Sequence, residues 1–349
     1  MTALAEPSSP PHTAAVTPAV EAVGLVRTFG GGRTLLGGRR PAVHALAGVD
    51  VAVAPGETLG IVGESGCGKS TLARLLVGLD RPTAGTIRLG GEDVTRMAGR
   101  SPRTLARNVQ YVFQDPVASL NPRKSVRAIL EAPLRRLLSL PARERAGRLA
   151  GLVRAVGLSE EHLERYPHEF SGGQAQRIGI ARALAAEPKV VVLDEPVSAL
   201  DVSVQAQVLA LLADLKRDLG LFYVFITHDL AVVERVADRI AVMYFGRIVE
   251  TAPARALHAA PRHPYTALLM RSAPVPGRRR VEAGESAAEL PDPTRPPPGC
   301  AFAPRCPRAT DRCRRERPPL EPAREDLALP APFGDTRAAA CWHPLETHG

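Results

Sequence analysis

Gly63-Glu64-Ser65-Gly66-Cys67-Gly68-Lys69-Ser70 lies between an apolar run, Thr58 to Val62, and a helix-like stretch from Lys69 to Gly78. The octapeptide matches G-x-x-x-x-G-K-[ST], and strand, loop and helix are the setting that this spacing requires. Small residues let successive backbone N–H groups turn inward around phosphate oxygens. The helix starting near Lys69 adds the positive end of its dipole, worth roughly half a unit charge. Lys69 can reach terminal phosphates, and Ser70 offers a hydroxyl to Mg2+, a hard cation that takes few protein ligands beside substrate phosphates. A Gly-rich turn with a chance Lys-Ser is the bland reading, and the later motifs weigh against it.

Downstream, the apolar run Val190-Val191-Val192-Leu193 ends in Asp194-Glu195, and the run Leu221 to Ile226 ends in Thr227-His228-Asp229. Short continuous apolar runs fit fully buried parallel strands, whose C-terminal ends point at a ligand crevice. Adjacent carboxylates there can divide the work. Asp194 can hold Mg2+ through water while Glu195 accepts a proton from an attacking water. His228 stands where a group sensing a terminal phosphate belongs. Further strands are predicted near Ala22 to Arg27, Val49 to Val53, Thr86 to Leu89, Val109 to Phe113 and Arg239 to Met243. Helices are predicted at Gln174 to Ala186, Val202 to Leu219 and Leu230 to Ala237, with a helix-rich insertion from Ser125 to Tyr166 where Leu and Ala recur at helical spacing. This alternation predicts a mostly parallel sheet covered by helices.

The 349 residues are enough for one sizeable core and an appendage. The ends differ from the core in composition: residues 1–18 hold four Pro, and much of the remaining Pro lies beyond Pro253. The N-terminus has neither a basic start nor an apolar core, so it does not read as a signal peptide, and no run of eighteen apolar residues occurs. A cytosolic chain, or one peripheral to a membrane, is expected. The net charge of +9 comes largely from short Arg clusters such as Arg278-Arg279-Arg280 and Arg314-Arg315. That Ala, Arg, Pro and Gly bias reads as base composition rather than a nucleic-acid surface.

With Ser171-Gly172-Gly173-Gln174 added, residues 20 to 256 resemble the nucleotide-binding subunit of ABC transporters, since other P-loop NTPases lack that tetrapeptide. The other motifs follow the family's order: Phe29, the P-loop, Gln114 after Val109-Gln110-Tyr111-Val112-Phe113, the signature, Asp194-Glu195, Ser198-Ala199-Leu200-Asp201, and His228. The resemblance implies an α/β P-loop NTPase fold with a RecA-like core sheet, an antiparallel β subdomain and a helical subdomain at about 115–170. It implies that Phe29 stacks on adenine, that Gly63 to Ser70 with Thr71 hold the phosphates of ATP, and that Ser70, Gln114 and Asp194 serve Mg2+. Glu195 would be the general base, Gln114 would link the site to a membrane subunit, and His228 would hold the gamma phosphate. Ser171, Gly172, Gly173 and Gln174, with Asp201, would close over ATP bound by a second ATPase subunit, identical or related, so a dimer is implied. Phe170 where Leu is common, and Ala175 for a frequent Arg, are the departures.

Beyond Val249 the chain resembles the C-terminal region of oligopeptide and dipeptide permease ATPases, through Arg262-His263-Pro264-Tyr265-Thr266, Pro297-Pro298-Gly299-Cys300-Ala301-Phe302 and Arg305-Cys306-Pro307. Ser119-Leu120-Asn121-Pro122-Arg123 fits the same group. Three regions follow: a disordered tail at 1–18, an ABC ATP-binding domain at 19–256, and a small Cys-containing C-terminal extension at 257–349. The expected function is the ATPase of a peptide importer at the cytoplasmic face of a membrane, beneath two integral membrane subunits fed by an extracytoplasmic binding protein. Import of nickel or another small solute is the alternative; a soluble ABC protein acting on ribosomes or DNA, or a P-loop kinase, fits less well. Cys300, Cys306, Cys313 and Cys341 sit in a Pro-rich module too poor in core to offset its ordering entropy unaided, which suggests a metal staple. Their spacing fits no familiar zinc or ferredoxin pattern. The resemblance implies a [4Fe-4S] cluster, with zinc and His343, or four reduced thiols, as the alternatives.

Overall fold

A computed structural model describes residues 17–32, 41–97, 103–272, 290–322 and 337–346. Most of the 1–18 segment, and Arg278 to Arg280, lie outside the described residues. In chain order, β1 (Val20–Gly30), β2 (Ala42–Val53), β3 (Thr58–Val62), α1 (Lys69–Leu76), β4 (Ala84–Leu89) and β5 (Glu92–Asp93) come first. Next are α2 (Arg103–Asn108), β6 (Val109–Val112), α3 (Val126–Arg136), α4 (Ala142–Ala155), α5 (Gly172–Leu184), β7 (Val190–Asp194), α6 (Val202–Leu219) and β8 (Phe222–Thr227). The chain continues with α7 (Leu230–Val236), β9 (Arg239–Tyr244), β10 (Arg247–Pro253), α8 (Ala254–Ala259) and α9 (Pro264–Ser272). The tail adds α10 (Asp311–Arg315), β11 (Glu321–Pro322) and β12 (Ala338–Ala339).

Two sheets organise these elements. An antiparallel sheet runs β2-β1-β4-β5, and an eight-stranded sheet runs β11-β12-β10-β9-β3-β8-β7-β6. Within the larger sheet β6, β7, β8, β3 and β9 are mutually parallel, as the alternating helices predict. Its central strands are buried on both faces, and alternate side chains enter different cores. Val191 and Leu193 join one cluster with the helical insertion, while Val190 and Val192 join another with the antiparallel sheet and α1. The two cores are therefore held together by single strands whose odd and even positions serve opposite sides.

Several boundaries move from their sequence-based positions. β2 starts at Ala42 rather than Val49, and Gly48 sits within the strand at φ +87°, where the absence of a side chain lets the strand run on. α5 begins at Gly172, since Ser171 caps it: the Ser171 hydroxyl accepts from the Gln174 N–H and the Gln174 side chain accepts from the Ser171 N–H. The hairpin of β10 back along β9 carries the sheet past its parallel part, and Glu250 of β10 pairs with Ala339 of β12. The C-terminal region thus completes an edge of the core sheet rather than hanging from it. Tyr265 and Phe302 from that region join the larger core. Among the described residues no helix is long and apolar enough to cross a membrane.

Candidate functional site

The nucleotide loop is shaped by what its glycines cannot carry. A Cβ on Gly63 would sit 2.1 Å from the Met243 carbonyl oxygen, and one on Gly68 would sit 2.5 Å from that of Ala45. Gly68 also holds φ +109°, a backbone conformation open to glycine but strained for other residues, and it hands the chain directly into α1 at Lys69. Lys69 is 5 % exposed, and its Nζ donates to the carbonyl oxygens of Gly63 at 2.7 Å and Glu64 at 2.9 Å. Cys67 is buried under the loop, and burial pushes its thiol pKa up, so it fills space rather than acting as a nucleophile.

The two carboxylates at the end of β7 have different surroundings. Asp194 is buried; its Oδ2 accepts the Tyr111 hydroxyl at 2.6 Å, while its Oδ1 is buried with no hydrogen-bond partner among the described residues. Burial, and then the Asp194 charge, raise the Tyr111 pKa above its ordinary value, which keeps the hydroxyl a donor. Nothing in the sequence marks Tyr111 beyond its place in a strand, because period-two patterning assigns a face and not a partner. Glu195 holds a left-handed backbone at φ +46°, with its N–H donated to the Ile226 carbonyl at 2.8 Å. Such strain in a residue other than glycine persists only where neighbours over-determine it, and it clusters at functional sites.

Glu195 is where three sequence motifs meet. Its Oε2 accepts from Gln114 Nε2 at 3.0 Å, and its Oε1 lies 3.1 Å from His228 Nδ1. A cleft of about 270 Å³ runs beside it, lined by Ser65, Gly66, Lys69, Ser70, Gln114 and Glu195. His44, Phe245 and Pro293 also line this cleft, and no motif points to them. Ser70 and Gln114 bring a hydroxyl and an amide oxygen to this cleft. Asp194, which precedes the cleft-lining Glu195 but does not itself line the cleft, keeps one carboxylate oxygen without a partner among the described residues. These are hard oxygen donors of the kind that suits Mg2+.

The remaining candidates lie elsewhere on the chain. Ser171 and Gly172 are exposed at the start of α5, and a Cβ on Gly173 would come 2.5 Å from Val204 Cγ1, so this N-terminus packs closely on α6. Gln174 is taken up by the capping box, and Asp201 caps α6 by accepting from the Val204 N–H at 2.9 Å, which lowers its pKa. Phe29 sits at the end of β1, 39 % exposed, with the Arg27 guanidinium 4.4 Å from its ring centre; Val43, its neighbour across the β1–β2 pair, is the residue that lines the cleft.

The four tail cysteines do converge. Cys300, Cys306, Cys313 and Cys341 line one small cavity with His263 and His343. Yet among the described residues no group of three or more Cys, His, Asp or Glu side chains is arranged to hold a metal ion. The geometry therefore gives the iron–sulfur expectation no support, nor the zinc alternative. All four are free, and burial raises the pKa of Cys300, Cys306 and Cys341, the last to about 11, so these thiols stay protonated near neutral pH. The physical reason is packing: Phe302 and the Trp342 segment fill the cavity walls, which supplies core that composition alone does not reveal.

Residues 46–198 match the family described as ABC transporter, and residues 249–313 match the family described as oligopeptide/dipeptide transporter, C-terminal region. The chain is 51 % identical to a probable peptide ABC transporter ATP-binding protein, y4tS, of Sinorhizobium fredii, over 86 % of this chain and 83 % of that one. It is 46 % identical to the dipeptide transport ATP-binding protein DppF of Haemophilus influenzae, over 94 % of this chain and 97 % of that one. Among solved structures, the ATP-binding cassette MJ0796 in a dimeric, post-hydrolysis state bound to ADP and Pi is similar with a TM-score of 0.59 and 27 % identity. The likeness covers 68 % of this chain and 99 % of that one.

Proposed function

This chain belongs to the ATP-binding subunits of ABC transporters, in the group that carries the oligopeptide and dipeptide transporter C-terminal region, and from that premise we propose how its residues work. It is an ATPase of a peptide-import system. The observation that carries the catalytic reading is the meeting of Gln114 and His228 on the two oxygens of Glu195, beside Lys69 and Ser70 in one cleft.

In this reading the N–H groups of residues 63–69 and the Lys69 ammonium bind the β and γ phosphates of ATP. Ser70, Gln114 and Asp194 would hold Mg2+, which when bound draws charge off the phosphate oxygens. Glu195 orients a water for in-line attack on the γ-phosphorus; the new P–O bond forms as the bond to the bridging oxygen of ADP breaks, and the water's proton passes to Glu195. Gln114 and His228 fix both carboxylate oxygens, so the base arrives oriented rather than mobile. Phe29 would cover adenine.

The exposed α5 N-terminus, outside the cleft of its own chain, supports a second ATPase subunit as the source of the missing anion contacts, with Ser171, Gly172, Gly173 and Gln174 facing its γ-phosphate and Asp201 beside them. ATP closes the pair because it binds the closed state more tightly than the open one, and hydrolysis releases it. The partners in this reading are two integral membrane subunits, supplied by an extracytoplasmic binding protein, with this chain peripheral at the cytoplasmic face and its solute a di- or oligopeptide. Glu195→Gln tests the chemistry: phosphate release should fall by about 10²–10³-fold while ATP binding persists. Unchanged turnover removes Glu195 from the role.

A further inference from the structure

Glu64 is a carboxylate inside the nucleotide loop, a place where negative charge opposes a triphosphate. The C-terminal region meets it there. Arg305, whose side chain is 9 % exposed, donates through Nη1 to Glu64 Oε2 at 2.7 Å and through Nη2 to Oε1 at 2.9 Å, across 241 residues of sequence. The guanidinium lies 5.9 Å from the centre of the Tyr244 ring and 5.7 Å from that of Phe302. Tyr265 accepts the Glu64 backbone N–H at 2.8 Å, and its ring packs 4.5 Å from that of Tyr244. On the far side of the loop Leu290 lies 3.7 Å from where a Cβ on Gly66 would stand, and the Pro293 carbonyl accepts the His44 N–H at 3.0 Å. The loop's inner side is joined to the same structure, because the Glu64 carbonyl accepts from Lys69 Nζ at 2.9 Å.

We propose that the C-terminal region is a positioning device for the nucleotide loop: Arg305 and Tyr265 hold Glu64 from outside, and Arg305 cancels its charge, so that the loop's N–H groups and Lys69 are set for phosphate. A glycine-rich loop loses much conformational freedom when it orders around a ligand. A loop clamped at Glu64 has lost part of that freedom beforehand, so nucleotide binds more tightly. The bidentate fork supplies direction as well as charge, which a lysine cannot reproduce. Arg305 is not among the residues that line the cleft, so its role in this proposal runs through Glu64. The idea rests on residues 63–70 being the phosphate loop.

Calorimetric titration of the full chain with MgADP reads this loop without hydrolysis. Arg305→Met should weaken MgADP about tenfold and raise the KM for ATP similarly, with kcat changed by no more than about twofold. In a Glu64→Gln background, where no charge needs cancelling, the same substitution should cost no more than about threefold. Should Arg305→Met fail to fold cooperatively, Arg305→Lys serves in its place, with a loss of about threefold that Glu64→Gln again removes. Unchanged MgADP affinity in the folded Arg305 variant overturns the proposal, and so does an undiminished loss in the Glu64→Gln background. Lys69→Ala is the control: normal MgADP binding there would reject the loop assignment itself, whereas its loss alongside normal binding by the Arg305 variant would reject only the role of the tail.

Discussion

Residues at the cleft carry their roles through what surrounds them. Asp194 and Glu195 are adjacent and chemically alike, yet one is buried with a Tyr111 hydroxyl on one oxygen, and the other is turned by a left-handed backbone toward Gln114 and His228. In the proposed mechanism that difference leaves Asp194 for a hard cation and Glu195 for a proton. Lys69 has an equally defined place, buried and bonded to the carbonyls of Gly63 and Glu64. Replacing it with Ala should weaken ATP binding by about 10²-fold, since it removes a buried, fixed cation from the phosphate loop and a charge-assisted hydrogen bond is worth up to roughly 3 kcal/mol. Equilibrium binding of a non-hydrolysable ATP analogue gives the answer, and affinity equal to wild type contradicts the assignment.

At the scale of elements, the contact between the start of α5 and the flank of α6 decides how the signature is presented. Gly173 allows it, for a side chain there meets Val204. Gly173→Ala should destabilise the chain by about 1–3 kcal/mol through overpacking, and Val204→Ala in the same chain should restore much of the loss. Urea unfolding of the two single variants and the double variant checks this; purely additive losses count against it. The start of α9 makes a different prediction. His263 is buried, which holds its pKa down to about 4. The unfolded chain takes up this proton near pH 6.5 and the folded chain refuses it until about pH 4, so unfolding is favoured as pH falls through that window, by up to about 3 kcal/mol. Melting temperatures of wild type and His263→Gln, taken at about pH 7 and about pH 4.5, should converge on acidification, because only wild type carries the penalty. Parallel curves would mean that His263 titrates as it does in water.

Over the whole molecule, the exposed start of α5 lies apart from the cleft, and in the proposed mechanism it serves the nucleotide of a second subunit. Chains lacking a working loop (Lys69→Ala) and chains lacking a working signature (Ser171→Arg) should each be inactive alone. Their equimolar mixture should recover up to about a quarter of wild-type turnover, because half of the mixed pairs are hybrids with one complete site in two. Recovery of nothing at any concentration, with pairing shown by light scattering, would end the account of shared sites. The tail belongs to this scale too. It shares strands with the core sheet through β12, a core through Phe302 and an ion pair through Arg305, so removing it should disturb the nucleotide loop rather than trim an appendage.

Local rules make much of this legible in the order of residues alone. Gly63 to Ser70, Asp194, Glu195, His228 and the strands ahead of them announce themselves, because phosphate cradles, helix starts and buried strands depend on spacing within a few residues. The sequence by itself likewise determined the alternation that yields a parallel sheet. Tertiary structure decided what spacing cannot encode: that Gln114 and His228 reach opposite oxygens of one carboxylate, that Tyr111 occupies Asp194, and that Arg305 finds Glu64 across 241 residues. It also decided that four cysteines, confined to a Pro-rich tail that suggested a metal staple, line a packed cavity without forming a group that could hold an ion among the described residues. Contacts between segments distant in sequence are fixed by how two cores close around one sheet, and the order of residues along a strand or loop carries no record of that closure.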